Sequence, residues 1–124
     1  MLTAVIGEKT LVTSPVNTAA RVSSQAFFNC STSVNVTDSV TWDYNKQGSR
    51  FAVRIYTSRD GVKPGQQDRF DIERDDANGA HNLIIKNVQM DLAVRYFCGL
   101  GDDGIQAAAD LIVLGMIIHA ILAQ

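Results

Sequence analysis

Two cysteines with a tryptophan between them constrain this chain more than any other feature. Cys30 and Cys98 each end a run of alternating apolar and polar residues, and Trp42 lies in a third such run. Tyr96 stands two positions before Cys98, so both side chains point to the same side of a strand, because successive side chains alternate between its faces. These four residues predict strands that meet in one core between two packed layers.

The order of these cysteine, tryptophan and tyrosine residues resembles the pattern of immunoglobulin domains. The segment between residues 45 and 69 is long enough for two extra strands, so the resemblance is to the variable (V-set) type. It implies an all-β fold, an immunoglobulin V-type β-sandwich of two antiparallel sheets with Greek-key connections. We expect the domain to span residues 1–115. The apolar residues 116–124 would then form a tail that begins a membrane anchor, extends the last strand or contacts a second copy.

Further segments resemble the variable regions of antigen receptors. Residues 69–75 and 83–88 are similar to two strands of the back sheet, and residues 111–115 look like the end of a joining (J) segment of light-chain type. The Phe-Gly-x-Gly of such segments is replaced at 105–108 by Ile-Gln-Ala-Ala, so we expect the glycine-dependent bulge to be absent. The combination resembles a non-rearranging receptor of VJ type more than a true antigen-receptor chain.

A second departure concerns the ion pair that closes the bottom of such sandwiches. The aspartate usual in the family falls at Leu92 here, and Asp91 lies one position early. The sequence therefore does not support the prediction of an ion pair between Arg69 and Asp91. Tyr96 keeps its place, and the resemblance implies that its hydroxyl forms a tyrosine corner with the backbone upstream.

The two cysteines provide information on the cellular compartment of the protein. The resemblance implies one disulfide between Cys30 and Cys98; the alternative is a pair of reduced, buried thiols. Closing a loop of this length is worth about 4 kcal/mol in the chain-entropy model. Because disulfides persist in oxidising compartments, we expect an extracellular protein, either secreted or at the cell surface.

Several classes of function are disfavoured by the composition. A net charge of −2 provides no basic face for nucleic acid. His81 and His119 lie far apart in sequence and the cysteines are expected to be paired, so we predict no enzyme, catalytic residue or cofactor. Residues 75–79 resemble a calcium loop poorly, because Arg74 falls where a carboxylate is required, so we predict no metal site.

The front sheet, built in the family from strands G, F, C and C′, is the leading candidate for a binding surface. An outward aromatic beside an arginine suits a protein interface. We predict a protein partner, in the first place a second copy of this chain, and a membrane contact only through an anchor after the domain. The candidate contacts are Asp43, Asn45, Phe51, Val53, Arg95 and Phe97. The orientation of Phe51 and Val53 depends on whether their strand contains a bulge.

Two alternatives remain open at this stage. The loops at one end of the sandwich, with Asp102 and Asp103 at the tip of the last hairpin, would instead bind the ligand, or the domain would serve adhesion or structure within a longer protein. Asn35 begins an Asn-x-Thr acceptor for N-glycosylation, and a glycan there would shield that end. Asn29 begins a poorer acceptor, with Cys30 in its middle.

Overall fold

The computed structural model describes residues 10–33, 39–101 and 104–115, which form two packed β-sheets. The strands in chain order are Leu11–Thr13 (β1), Thr18–Arg21 (β2), Ala26–Phe28 (β3), Ser31–Thr32 (β4), Val40–Asn45 (β5), Ala52–Thr57 (β6), Gly61–Val62 (β7), Phe70–Asp75 (β8), Ala80–Ile85 (β9), Arg95–Leu100 (β10) and Ile105–Leu114 (β11). The back sheet contains β1, β3, β4, β8 and β9, and the front sheet has the order β2-β11-β10-β5-β6-β7. This arrangement confirms the predicted V-type sandwich.

Strand alternation explains how the core fills the space between the sheets. In β5 and β9 every second residue is buried, so one side of each strand faces the opposite sheet. The predicted disulfide between Cys30 and Cys98 is present and links the back sheet to the front sheet. Trp42 packs fully buried in this core, and its indole N–H donates to the His81 carbonyl oxygen at 2.7 Å. The fold therefore has the disulfide and the buried tryptophan that the resemblance implied.

The beginning of the chain contributes to both sheets. β1 pairs antiparallel with β4 in the back sheet, whereas β2 pairs parallel with β11 in the front sheet. Pro15 lies buried in the crossing segment between them. Proline has no amide hydrogen to donate, which suits a position where the strand leaves one sheet for the other. The expectation of wholly antiparallel sheets therefore needs one correction, the parallel β2–β11 pair.

The bottom of the sandwich differs from the sequence-based expectation. Arg69 donates to both carboxylate oxygens of Asp91, at 2.7 and 2.8 Å. The ion pair that the sequence did not support is therefore present. The reason is the 3-10 helix Met90–Leu92, which buries Leu92 and leaves Asp91 outside, within reach of Arg69. The Tyr96 hydroxyl donates to the Leu92 carbonyl oxygen at 2.8 Å, which confirms the tyrosine corner.

Strand register determines which side chains the front sheet exposes. The β10–β11 ladder runs without a shift from the Arg95–Asp110 pair to the Leu100–Ile105 pair, so the predicted absence of the glycine bulge is confirmed. The β5–β6 ladder does shift, because Ile55 is an extra residue between two paired positions. This bulge places Val53 opposite Tyr44, where it packs against the core. The prediction that Val53 lies on the outer face is therefore wrong.

Candidate protein-binding face

The outward side of the front sheet carries most of the candidate contacts. Phe97 of β10 lies near its middle, paired with Asp43 of β5 on one side and with Ala108 of β11 on the other. Because strands flank it on both sides, its ring is partly buried while still facing outward. We call this surface the front face; its residues are Ala19, Arg21, Thr41, Asp43, Asn45, Ala52, Arg54, Arg95, Phe97, Gly99, Gln106, Ala108, Asp110, Ile112 and Leu114.

Two ion pairs place four charges on the front face and balance them locally. Arg54 of β6 pairs with Asp43, and Arg95 pairs with Asp110 through N–O distances of 2.8 and 3.2 Å. The hydrogen bond from Arg95 lowers the pKa of the Asp110 carboxyl and raises the pKa of the guanidinium. Both pairs are accessible to water, so they add little to stability. The four residues therefore contribute no net charge to the face, whereas the exposed Arg21 of β2 adds a positive charge beside Leu114.

A row of apolar side chains runs along β11 on the same side as Ala108 and Asp110. Ile112 and Leu114 are 51% and 40% exposed, although both belong to a regular strand within the sheet. Their neighbours Leu111 and Val113 point inward, so residues 111–114 are apolar on both sides. A strand that is apolar on both sides is typical of burial on both faces. The continuous apolar run at residues 111–114 is the sequence signal for this row. Because the run has no alternation, it did not indicate which of its residues lie on the front face.

The remaining predicted contacts lie in different places. Asn45 pairs with Ala52 of β6 at the end of the front face. Phe51 precedes β6 and is 79% exposed, outside the ladder that forms the face. Gly99 lies on the front face beside Thr41. A Cβ atom added at Gly99 would come within 2.8 Å of the threonine hydroxyl oxygen, so the surface is recessed at this position. Three predicted residues lie outside the described ranges: Asn35, Asp102 and Asp103.

A polar cluster, buried at Tyr56 and His81 and exposed at Arg74, connects the front sheet to the back sheet. The Tyr56 hydroxyl of β6 lies 2.8 Å from Nδ1 of His81 in β9. Arg74 of β8 donates to that hydroxyl at 3.4 Å and to the Ser58 carbonyl oxygen at 2.7 Å. Arginine can only donate, so we assign the tyrosine hydrogen to the His81 nitrogen and the histidine proton to Nε2. This cluster was not predictable from the sequence, because its members are far apart along the chain.

The cluster holds His81 in its neutral form. Burial lowers the pKa of His81, and repulsion from Arg74 lowers it further. Burial likewise raises the pKa of Tyr56, against the opposing effect of Arg74. A hydrogen bond between a neutral tyrosine and a neutral imidazole buries no charge, so no compensating charge is required in the interior. The arrangement therefore fixes β6, which carries Arg54, relative to the strands behind it.

Two β-sheets joined by a disulfide, with apolar and ion-paired side chains on the outer side of the front sheet, form the immunoglobulin-type sandwich that the resemblance implied. Comparison with protein families matches residues 12–111 to the immunoglobulin V-set domain, and the chain belongs to this family. No curated protein matches the chain. V-set domains are recognition or adhesion modules that typically mediate protein–protein contacts, generally without enzymatic activity, in extracellular or cell-surface proteins. Across the described residues we find no helix with the length and apolar character needed to cross a membrane.

Proposed function

We propose that this domain is an extracellular recognition module that pairs with a second copy of itself through the front face. The observation that carries the proposal is the exposed apolar row of Ile112 and Leu114, which lies on the same face as the partly buried Phe97, with the Arg95–Asp110 ion pair between them. Interfaces of this kind have an apolar centre, few unpaired charges there and aromatic or arginine anchors.

The charge pattern favours a second copy over a strongly charged partner. In a two-fold symmetric dimer the same patch contacts itself, so a face with net charge would repel its copy. Here Asp43 and Asp110 are each matched by an arginine of the same face. The two ion pairs would therefore not oppose the approach of a second copy, and the further charge of Arg21 lies beside Leu114 on β2, at the edge of the sheet. A highly charged ligand would gain nothing comparable from this surface.

The straight β10–β11 ladder supports a receptor of the non-rearranging VJ type. In antigen receptors the glycine bulge in this strand shapes the pairing of variable domains, and here the ladder continues through residues 105–108 without a shift. We therefore propose pairing through superposed front sheets instead of an antibody-like geometry. We also propose that the domain ends at Gly115, so that pairing does not need residues 116–124.

Matched substitutions on the two outer faces test the proposal. Phe97→Asp places a charge in the middle of the front face, whereas Phe27→Asp places one on the back sheet at a ring that is 52% exposed. Loss of a central anchor costs 2 kcal/mol or more, so we expect Phe97→Asp to raise the dimer dissociation constant by about 30-fold or more. Ile112→Asp should weaken the dimer as well, and Phe27→Asp should leave it unchanged.

The measurement is sedimentation velocity of refolded, unglycosylated protein over a wide range of concentration. Near-ultraviolet circular dichroism of each variant verifies that the packing around Trp42 is retained. Equal weakening by Phe97→Asp and Phe27→Asp would contradict the proposed surface. A wild-type chain that stays monomeric would contradict the homodimer and direct attention to a separate ligand, at the loops that contain Asp102 and Asp103.

A further inference from the structure

The outer surface of the back sheet has an exposed aromatic ring that the front-face function does not use. Phe27 of β3 is 52% exposed and pairs across the sheet with Ile84 of β9, which also faces outward. A ring of this size left in water forgoes the free energy that burial of an aromatic side chain provides. The ring therefore suggests a group that covers it in the mature protein.

Two residues that share its side of the strand belong to a modification motif. Phe27, Asn29 and Ser31 alternate with the buried residues Phe28 and Cys30, so all three face outward. Asn29-Cys30-Ser31 satisfies the Asn-x-Ser rule for N-glycosylation, and the cysteine in its middle points away into the disulfide. Within the described ranges nothing hydrogen-bonds the Asn29 carboxamide. The acceptor nitrogen is therefore exposed and unengaged.

A shallow polar depression adjoins this motif. Its volume is about 280 Å³, and it is lined by Thr13, Asn29, Ser31, Asn78, Ala80 and Asn82. The size lies just below the range of about 300–1,000 Å³ that is usual for enclosed small-molecule pockets, but an open depression of this volume can receive one sugar ring. Amides and hydroxyls offer neutral donors and acceptors, which suit the hydroxyl and acetamido groups of a sugar. Asn82 is held in place there, because its side-chain oxygen accepts from the Cys30 amide at 3.0 Å.

We propose that Asn29 carries an N-linked glycan whose first N-acetylglucosamine lies along the back sheet, between the Phe27 ring and the amide-lined depression. The sugar would place its C–H face on the ring and direct its polar groups at the depression. The inference depends on passage through the secretory pathway, as the disulfide indicates, and not on the front face.

The attachment is an ordinary glycosyl transfer with a lipid-diphosphate oligosaccharide as donor. The Asn29 Nδ2 atom forms a bond to C1 of the terminal N-acetylglucosamine and loses one proton. The bond from C1 to the diphosphate oxygen breaks, and the lipid diphosphate leaves with its electron pair. The Ser31 hydroxyl is the recognition element of the acceptor. The proposal requires that transfer to the extended chain precede closure of the disulfide at Cys30.

A glycan at this position would divide the molecule into two surfaces. A bulky, hydrated group on the back sheet shields Phe27 and prevents that sheet from packing against another protein. The front face, on the opposite side of the sandwich, stays accessible. The glycan would therefore direct association to the surface that contains Phe97.

Site occupancy is tested on the full chain, secreted behind a leader from a cell line that glycosylates asparagine. All proteins carry Asn35→Gln, so that the other acceptor contributes nothing. Glycopeptide mass spectrometry of the folded protein should find Asn29 occupied, Ser31→Ala should abolish the occupancy, and Ser31→Thr should raise it or leave it complete. Secreted, disulfide-bonded protein with an unmodified Asn29 would overturn the proposal.

The contact with Phe27 is tested by thermal unfolding of the same proteins. Glycosylated protein should melt about 2–5 °C above the Ser31→Ala variant, a shift of the size expected from the burial of one exposed ring. In a Phe27→Ser background that difference should largely disappear. A difference of the same size with and without Phe27 would overturn the proposed packing of the sugar.

Discussion

Replacement of Tyr96 by phenylalanine isolates the hydrogen bond of the tyrosine corner. The ring is fully buried and packs on Phe28, with 5.2 Å between ring centroids, so the substitution keeps the packing and removes one hydroxyl. That hydroxyl donates to the Leu92 carbonyl oxygen, which also accepts from the Val94 amide at 2.8 Å. The carbonyl therefore keeps one partner after the substitution. We expect a loss of about 1 kcal/mol, the net value of one hydrogen bond, instead of the 1–3 kcal/mol of an orphaned buried group.

Tyr44→Phe provides the matched control. Tyr44 is a nearly buried tyrosine whose ring packs on Tyr96, with 6.0 Å between centroids. Among the described residues its hydroxyl has no hydrogen-bond partner, so its removal should change the free energy of unfolding by less than about 0.5 kcal/mol. Equilibrium unfolding in guanidinium chloride, with the disulfide intact, measures both values. Equal losses in the two variants, or no loss in Tyr96→Phe, would refute the assigned role of the corner.

Three further predictions concern charge and covalent linkage. The pKa of His81 is lowered in the folded protein, so the unfolded chain binds more protons as the pH falls. The free energy of unfolding should therefore fall below pH 6.5, the ordinary histidine value, and His81→Gln should flatten this dependence between pH 7.5 and 5 in urea titrations. Arg69→Ala should cost only about 0.2–1 kcal/mol by the same assay, because Arg69 and Asp91 are exposed. Reduction of the Cys30–Cys98 bridge should lower stability by about 2–5 kcal/mol, and retention of full stability after reduction would contradict its structural role.

The sequence predicted the centre of the fold because that information is local. Trp42, Tyr96 and Cys98 lie in strands with simple alternation, and Cys30 follows β3 with the same alternation of burial, so their positions determine which side each faces. The absence of the bulge in β11 was predictable for a similar reason, since the glycines that would form it are missing. In each case a single property of neighbouring residues decides the outcome.

The errors arose where backbone geometry or distant contacts decide the outcome. The bulge at Ile55 reverses the side on which Val53 lies, and no glycine marks it in the sequence. The turn Met90–Leu92 moves Asp91 to the surface, an effect that position counting cannot register. Ile112 was missed because alternation gives no signal in a run that is apolar throughout. Such features depend on how the strands pair, which the linear sequence does not encode in an obvious pattern.

Solution molar mass shows directly whether two copies pair through the front face. Light scattering over a wide range of concentration should be performed on the full chain and on a chain that ends at Gly115. We expect a concentration-dependent dimer in both forms. A monomer in both forms, or a dimer only when residues 116–124 are present, would contradict it.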